Sequence, residues 1–303
     1  MTTRFPITLN QLSYFAACAR TLNMTAASEE LHVAQSAVST AITQLERSLG
    51  ATLFIRIHAK GLVLTDAGEQ LQRETQRLFE GLENIIESVR EGESAIRGVV
   101  RIAVFSTFVP TLLPAIISRL EEAHPELGLE VLEGDHAQNL ADLRSGRADM
   151  ALTYTFSLAQ DVTARAITKA MPYVLVSEHH PLAMEGKVAL RQLSGEAFIM
   201  LDLPDSREYF LDLARKCGAQ VQVRHRSENF EAVRAMVAAG MGVSILNQRP
   251  VYDTTYSGAR AVPLDISDDV QGLPIAIVRL RQLQPSAKIR AMAKVVEEVL
   301  RTA

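Results

Sequence analysis

The chain has 303 residues, 48% of them hydrophobic but only 5% aromatic, with 22% charged residues and a net charge of −4 at pH 7. That length leaves room for two domains with mainly aliphatic cores. No apolar run approaches the roughly 18 residues of a membrane span, "MTTRFPITLN" has no apolar signal core, and Cys18 and Cys217 make no disulfide framework, so a soluble, cytoplasmic protein without a membrane partner is expected.

The pattern opens with a helix from about Leu9 to Arg20, whose Leu12, Phe15, Ala16 and Ala19 share one face. A second helix starts near Asn23, a good N-cap, and runs to Leu31 with Ala26 and Ala27 on its packed side. After only "HVA" a third begins near Gln35. Its Val38, Ile42, Leu45 and Leu49 step by four, three and four, and Gly50 supplies the stop. Two short helices joined by so tight a turn cross steeply, as in a helix-turn-helix. The outer face of the third helix carries Gln35, Ser36, Ser39, Thr40, Thr43 and Arg47. Small hydroxyls and one amide let a helix sink into a major groove and reach bases and phosphates. An ordinary solvated face is the alternative, though such faces are usually richer in Glu and Lys. Charge agrees weakly with a DNA-binding head: residues 1–65 carry net +2 and the remainder −6.

"TLFIR" and "GLVLT" flank "IHAK" and read as a β-hairpin, or wing, with His58 and Lys60 at its tip. A basic tip suits phosphate or a minor groove, against the alternative of a plain surface turn. From Asp66 to about Glu91 a long helix follows. Leu71, Thr75, Leu78, Leu82, Ile85 and Val89 step by four, three, four, three and four, the alternation of a coiled-coil seam. The seam is expected to pair with a second copy, with docking on its own chain as the alternative. "EGESAIRG" reads as a hinge.

The motifs "AASEEL", "QSAVSTAITQLERSLGATLFIR" and "LTDAG", at these intervals, resemble the LysR-type transcriptional regulators, and the likeness extends over essentially the whole chain. The resemblance implies an α+β winged helix-turn-helix head, a linker helix for dimerisation, and a two-lobed α/β effector-binding body like that of periplasmic solute-binding proteins. It also implies control of transcription at double-stranded operator DNA, usually as a homotetramer built from homodimers, with RNA polymerase as a further partner. Three departures stand out. Ala34 replaces the Ser common before the recognition helix, a loss worth about 0.5–2 kcal/mol of capping unless Ser36 or DNA phosphate compensates. Ser36 replaces a frequent Pro and keeps its N–H. The wing is less basic than many.

The remaining chain alternates strands and helices, which argues for parallel α/β sheets. "VVRIAVF", "LGLEVLEG" and "ADMALTY" are strands of one lobe, and "YVLVSEHHP", "EAFIMLD", "QVQVRHR" and "GVSILN" of another. "LPIAIVRL" and a helix from about Ser286 return to the first lobe. Crossovers are expected near 155–162 and 262–268. The resulting division is a DNA-binding head at 1–65, a linker helix at 66–92 and an effector-binding body at 93–303. Lobe I takes about 93–160 and 268–303, and lobe II about 161–267.

Ligands of such sheets lie beyond the C-terminal strand ends, at helix N-termini. "FSTFVP" places Ser106 and Thr107 there, with Phe108 and Tyr154 as an apolar wall, and "LDLPDSREYF" places Pro204, Asp205 and Ser206 at the equivalent point of lobe II. The functional reading is a small polar or anionic effector, such as a carboxylate, held between the lobes. The alternative is that Ser106, Thr107 and Ser206 merely cap helices. "SEHHPLA" has no further ligand at metal spacing, "GMGVS" lacks a dinucleotide fingerprint, and no cofactor or metal is expected. Two rivals are weaker. A solute-transport protein would not carry the head. A hydrolase using Ser106 would need a G-x-S-x-G elbow that is missing, so no enzyme is expected.

Overall fold

The computed structural model describes residues 6–57, 61–89, 96–156 and 159–302. His58, Lys60, most of the expected hinge, and the side chains of Ile85 and Val89 lie outside the described part. The chain divides at about residue 95 into two compact units.

In the N-terminal unit α1 spans Leu9–Thr21, α2 Met24–Glu30 and α3 Gln35–Leu49. Their ends follow local chemistry. Thr8 forms a capping box with Gln11. Asn23 Oδ1 accepts from Thr25 N at 2.9 Å and Ala26 N at 3.3 Å. Ala34 caps nothing with its side chain, and Gly50 ends α3 in the left-handed region. Leu12, Phe15, Cys18, Ala27, Val38, Ile42 and Leu45 fill one core.

Strands β1 (Phe54–Ile57) and β2 (Gly61–Leu64) form an antiparallel hairpin. Glu46 ties it to α3 by accepting from Leu53 N at 2.8 Å. Thr65 bonds back to Thr52 O at 2.6 Å and accepts from Gly68 N, opening α4 (Asp66–Val89). A Cβ on Gly68 would lie 2.3 Å from Leu53 O, so this position admits only glycine. Glu46, Thr65 and Gly68 are thus the joints that "LERSLG" and "LTDAG" encode.

In the C-terminal unit the elements are β3 (Gly98–Phe105), α5 (Val109–Ala123), β4 (Leu127–Gly134), α6 (His136–Arg144), β5 (Met150–Tyr154), β6 (Val162–Ala170), β7 (Tyr173–Ser177), β8 (Lys187–Val188), β9 (Ala197–Leu201), α7 (Ser206–Lys216), β10 (Gln222–Ser227), α8 (Phe230–Ala238), β11 (Ser244–Leu246), β12 (Ala261–Ile266), β13 (Leu273–Leu280) and α9 (Ala287–Thr302). One sheet has the order β4-β3-β5-β13-β6, another β11-β7-β12-β8, and β10 pairs with β9. Alternate residues serve opposite faces of the first sheet. Ile102, Val104, Ile275 and Ile277 face α5 and α9, whereas Ala103, Ala151 and Ala276 give α6 room to approach. The first apolar cluster continues into Ile199, Leu201, Val233 and Leu246, so both sheets feed one core.

Two expectations are corrected. The sheets are mixed rather than parallel: β13 runs antiparallel to β5 and β6, and β7 antiparallel to β11 and β12. Antiparallel neighbours need no crossover helix. The lobe boundaries also move. Residues 162–170, assigned to lobe II from the sequence, form the edge strand of the first sheet, and most of 262–268, read as a crossover, belongs to strand β12 of the second. Edge exposure spreads polar residues through "VTARAITKA". Pro263 looks like a strand breaker, but two-residue β8 pairs only with Asp265 and Ile266 and leaves Pro263 unopposed on that side.

Candidate functional sites: the recognition-helix face and the inter-lobe cleft

On α3, Val38, Ile42 and Leu45 are buried while Gln35, Ser36, Thr40, Thr43 and Arg47 are exposed and Ser39 is half-buried. The expected outward face is therefore a single solvent-facing surface. Thr43 Oγ1 donates to Ser39 O at 2.9 Å, which binds the two residues across one helical turn. The first turn of α3 has no side-chain cap, so its leading N–H groups stay open to solvent or to a docking acceptor.

On α4 the seam is divided. Leu71 and Phe79 pack against the core of the N-terminal unit. Thr75 is buried, Leu82 is half-buried, and Leu78 and Ile86 are 43% and 49% exposed. Half-buried Leu71 thus packs on its own chain, whereas Leu78 stays open.

The C-terminal unit holds a cleft lined by Phe105, Thr107, Tyr154, Phe156, Leu201, Ser206, Phe210, Phe230, Asn247 and Gln248. Its empty volume is about 260 Å³, partly open to solvent, and the enclosed part holds about one water. Of the seven residues singled out from the sequence, Thr107, Tyr154 and Ser206 line it. Ser106 is half-buried beside it, and Phe108 sits behind the wall with its ring 4.6 Å from that of Tyr154. Pro204 and Asp205 are exposed and lie outside the lining. Phe105, Leu201 and Phe210 lie in the two stretches singled out but were passed over for their polar neighbours, whereas Phe156, Phe230, Asn247 and Gln248 come from other segments that only the folded chain brings together.

The Ser106, Thr107 and Ser206 side chains cap no helix. Ser106–Phe108 form a short 3-10 turn leading into α5 without any side-chain cap, and Asp205, the N-cap position of α7, makes none either. Thr107 is 5% exposed, and its Oγ1 has no partner in hydrogen-bond geometry although the Tyr154 phenol lies beside it. Burial raises the Tyr154 pKa, and the Thr107 hydroxyl opposes that shift only in part. Tyr209 Oη and Asn247 Oδ1 are likewise buried and lie beside each other outside good hydrogen-bond geometry. Gln248 Nε2 donates to Thr111 Oγ1 at 3.2 Å. An anion would find no Lys, Arg or His among the lining residues.

His180 is a surface-turn residue: its Nδ1 accepts from Leu182 N at 3.2 Å. Among the described residues no group of three or more His, Cys, Asp or Glu could hold a metal, and no helix is long and apolar enough to cross a membrane.

Residues 9–69 match the bacterial regulatory helix-turn-helix model of the lysR family, and residues 93–301 match the LysR substrate binding domain. HinK, a LysR family transcriptional regulator from Pseudomonas aeruginosa, is 30% identical, with 96% of this chain and 98% of that one covered and a TM-score of 0.65. The transcriptional dual regulator GltC of Bacillus subtilis is 29% identical over 286 residues, 92% of this chain and 93% of its own. A hydrogen peroxide-inducible genes activator from Haemophilus influenzae is 29% identical over 263 residues, covering 84% and 85%. Both halves of the chain, in their order, thus match one kind of protein, and this chain belongs to the LysR family: it is a transcriptional regulator, not an enzyme, with a DNA-binding head and an effector-binding body.

Proposed function

We propose that this regulator, acting in the cytoplasm, reads its operator with Gln35, Ser36, Ser39, Thr40, Thr43 and Arg47 of α3, and that His58 and Lys60 contact the flanking backbone. The observation that carries this reading is the division of α3 into a buried aliphatic face and an exposed face of hydroxyls and one amide. Such a face brings the helix axis close to the groove floor, where donors and acceptors of the bases lie. Leu78 and Leu82 of α4 join two copies, and dimers pair into a tetramer. RNA polymerase is the further partner at activated promoters. A small effector in the inter-lobe cleft favours one lobe arrangement and so shifts how the dimers engage two DNA sites. Thr107 and Ser206 are the polar contacts offered from the two sides of that cleft.

The test is a gel-shift titration of Thr43→Glu. The added carboxylate repels phosphate and fills the space that close approach needs. Operator affinity is expected to fall at least ten-fold, about 1.4 kcal/mol, with the circular dichroism spectrum unchanged. Unchanged affinity would remove α3 from the interface.

A further inference from the structure

This chain is poor in aromatic residues, yet it concentrates them in one place. Of its ten Phe and six Tyr, Phe105, Tyr154, Phe156, Phe210 and Phe230 line the inter-lobe cleft. Phe108 and Tyr209 pack directly behind them. The rings meet tilted or edge-on: Phe105 and Tyr154 lie 5.0 Å apart at 73°, Tyr154 and Phe156 5.6 Å apart at 61°, and Phe156 and Tyr209 6.1 Å apart at 69°. Edge-to-face packing is how aromatic rings satisfy their quadrupoles, and a further flat ring extends that pattern at little cost.

The charges of the cleft are as informative as its rings. No Asp, Glu, Lys, Arg or His is among the lining residues. Asp202, next in sequence to lining Leu201, is already held by Arg207 and by Arg226 at 3.8 Å. The N-terminus of α7 is also partly satisfied, since Ser206 N donates to Pro204 O at 2.8 Å and Arg207 N to Leu203 O at 3.3 Å. A buried carboxylate there would lack a counter-ion, a costly arrangement.

Three polar atoms in or beside this cleft lie outside good hydrogen-bond geometry: Thr107 Oγ1, with the Tyr154 phenol beside it, and Asn247 Oδ1 and Tyr209 Oη, which neighbour each other. The Thr107 and Tyr209 hydroxyls can donate or accept, whereas the Asn247 oxygen can only accept. A ligand that satisfies all three brings at least one N–H or O–H of its own and an acceptor beside it. The enclosed part of the cleft holds about one water and the rest opens to solvent, so a ligand here is small and reaches the enclosed part from the open side.

We infer that the effector is a small uncharged molecule with one aromatic ring and an N–H or O–H donor, held edge-to-face by Phe105, Tyr154, Phe156 and Phe210 and hydrogen-bonded to Thr107 and Asn247. This deepens the inter-lobe reading given above and rests on it. It replaces the expected anion with a neutral aromatic compound.

The experiment uses the full-length protein and four probes in ligand-observed NMR at low-millimolar concentration: benzamide, phenol, benzoate and choline. Benzamide and benzoate share a shape and differ in charge, while choline tests whether the rings serve as a cage for a cation. Benzamide and phenol are expected to bind, and benzoate and choline to bind at least ten-fold more weakly or not at all. Thr107→Val and Asn247→Leu, each checked for folding by circular dichroism, are expected to weaken benzamide about ten-fold each, the loss of one hydrogen bond from a buried partner. Benzoate binding as tightly as benzamide, a preference for choline, or no binding of either neutral probe would overturn the neutral-aromatic assignment. If benzoate wins and still responds to Thr107→Val, only the charge class is wrong. If a bound probe ignores both variants, the inter-lobe site itself is wrong.

Discussion

The outer face of α3 and the cleft are built in opposite ways. The α3 face comes from one unbroken segment, is convex, and keeps its hydroxyls in water. The cleft is concave, gathers residues from segments between Phe105 and Gln248, and holds polar atoms out of water and outside good hydrogen-bond geometry. A surface that docks on hydrated DNA loses little by staying wet. A cleft that withdraws Thr107 and Asn247 from solvent bears about 1–3 kcal/mol for each unmade bond, and a ligand that completes those bonds regains it. The cleft is therefore poised for a ligand in a way that the helix face is not.

That contrast can be broken or sharpened by substitution. The largest effect is expected from Phe15→Ala. Phe15 is fully buried beneath the helices, with its ring 5.4 Å from that of Phe54. Its loss should cost about 3–5 kcal/mol and abolish operator binding, while benzamide binding to the body persists. Loss of both in gel-shift and NMR titrations would erase the distinction between the two sites. Next comes Leu78→Glu/Leu82→Glu, which puts like charges on an apolar contact. Analytical ultracentrifugation should show the dimer lost, and an unchanged distribution would return this helix to its own chain. Leu71→Ala serves as the contrasting variant: because Leu71 packs on the head core, it should lower the melting temperature rather than dissociate the dimer.

A smaller, stabilising effect is expected from Ala34→Ser. Ala34 already has the extended backbone of an N-cap, φ −67° and ψ 139°, so the hydroxyl should add about 0.5–2 kcal/mol, read as a higher melting temperature of the head. The smallest effect concerns pH. Burial raises the Cys18 thiol from 9.0 to about 11. The folded head then holds a proton that the unfolded chain releases, so this contribution is present below about pH 9 and fades as pH climbs towards 11. Cys18→Ala should flatten that decline in melting temperature. Alkylation mapped by mass spectrometry should modify half-buried Cys217 before buried Cys18.

The head was the more legible half because its information is local. Periodicity places α1, α2 and α3 within a residue or two, Gly50 ends α3, and the missing cap at Ala34 is visible as a single letter. In the body, strand identity survives wherever a strand is buried throughout, as in β5 and β7. It fails for β6, whose residues are half-exposed, and for β12, which contains Pro263. The cleft was legible only through Thr107, Tyr154 and Ser206. Phe156, Phe230 and Asn247 carry no spacing that announces them, since the sheet order that unites them is itself a long-range property. Gly242 of "GMGVS" shows the same limit from the other side: a Cβ there would meet Ala197 O at 2.2 Å, a close approach made by a residue 45 positions away.

The position of β13 has a consequence for synthesis. It lies between β5 and β6, but it follows β6 by about 100 residues in the chain. At about 5–20 residues per second, a ribosome needs on the order of 5–20 s to supply it after β6 has emerged. During that time both neighbours carry an open edge that invites pairing with other chains. The nascent first sheet is thus a natural client for chaperones until its last strand arrives. Chains cut short before Leu273 should accumulate as insoluble protein even though every residue of the head has been made.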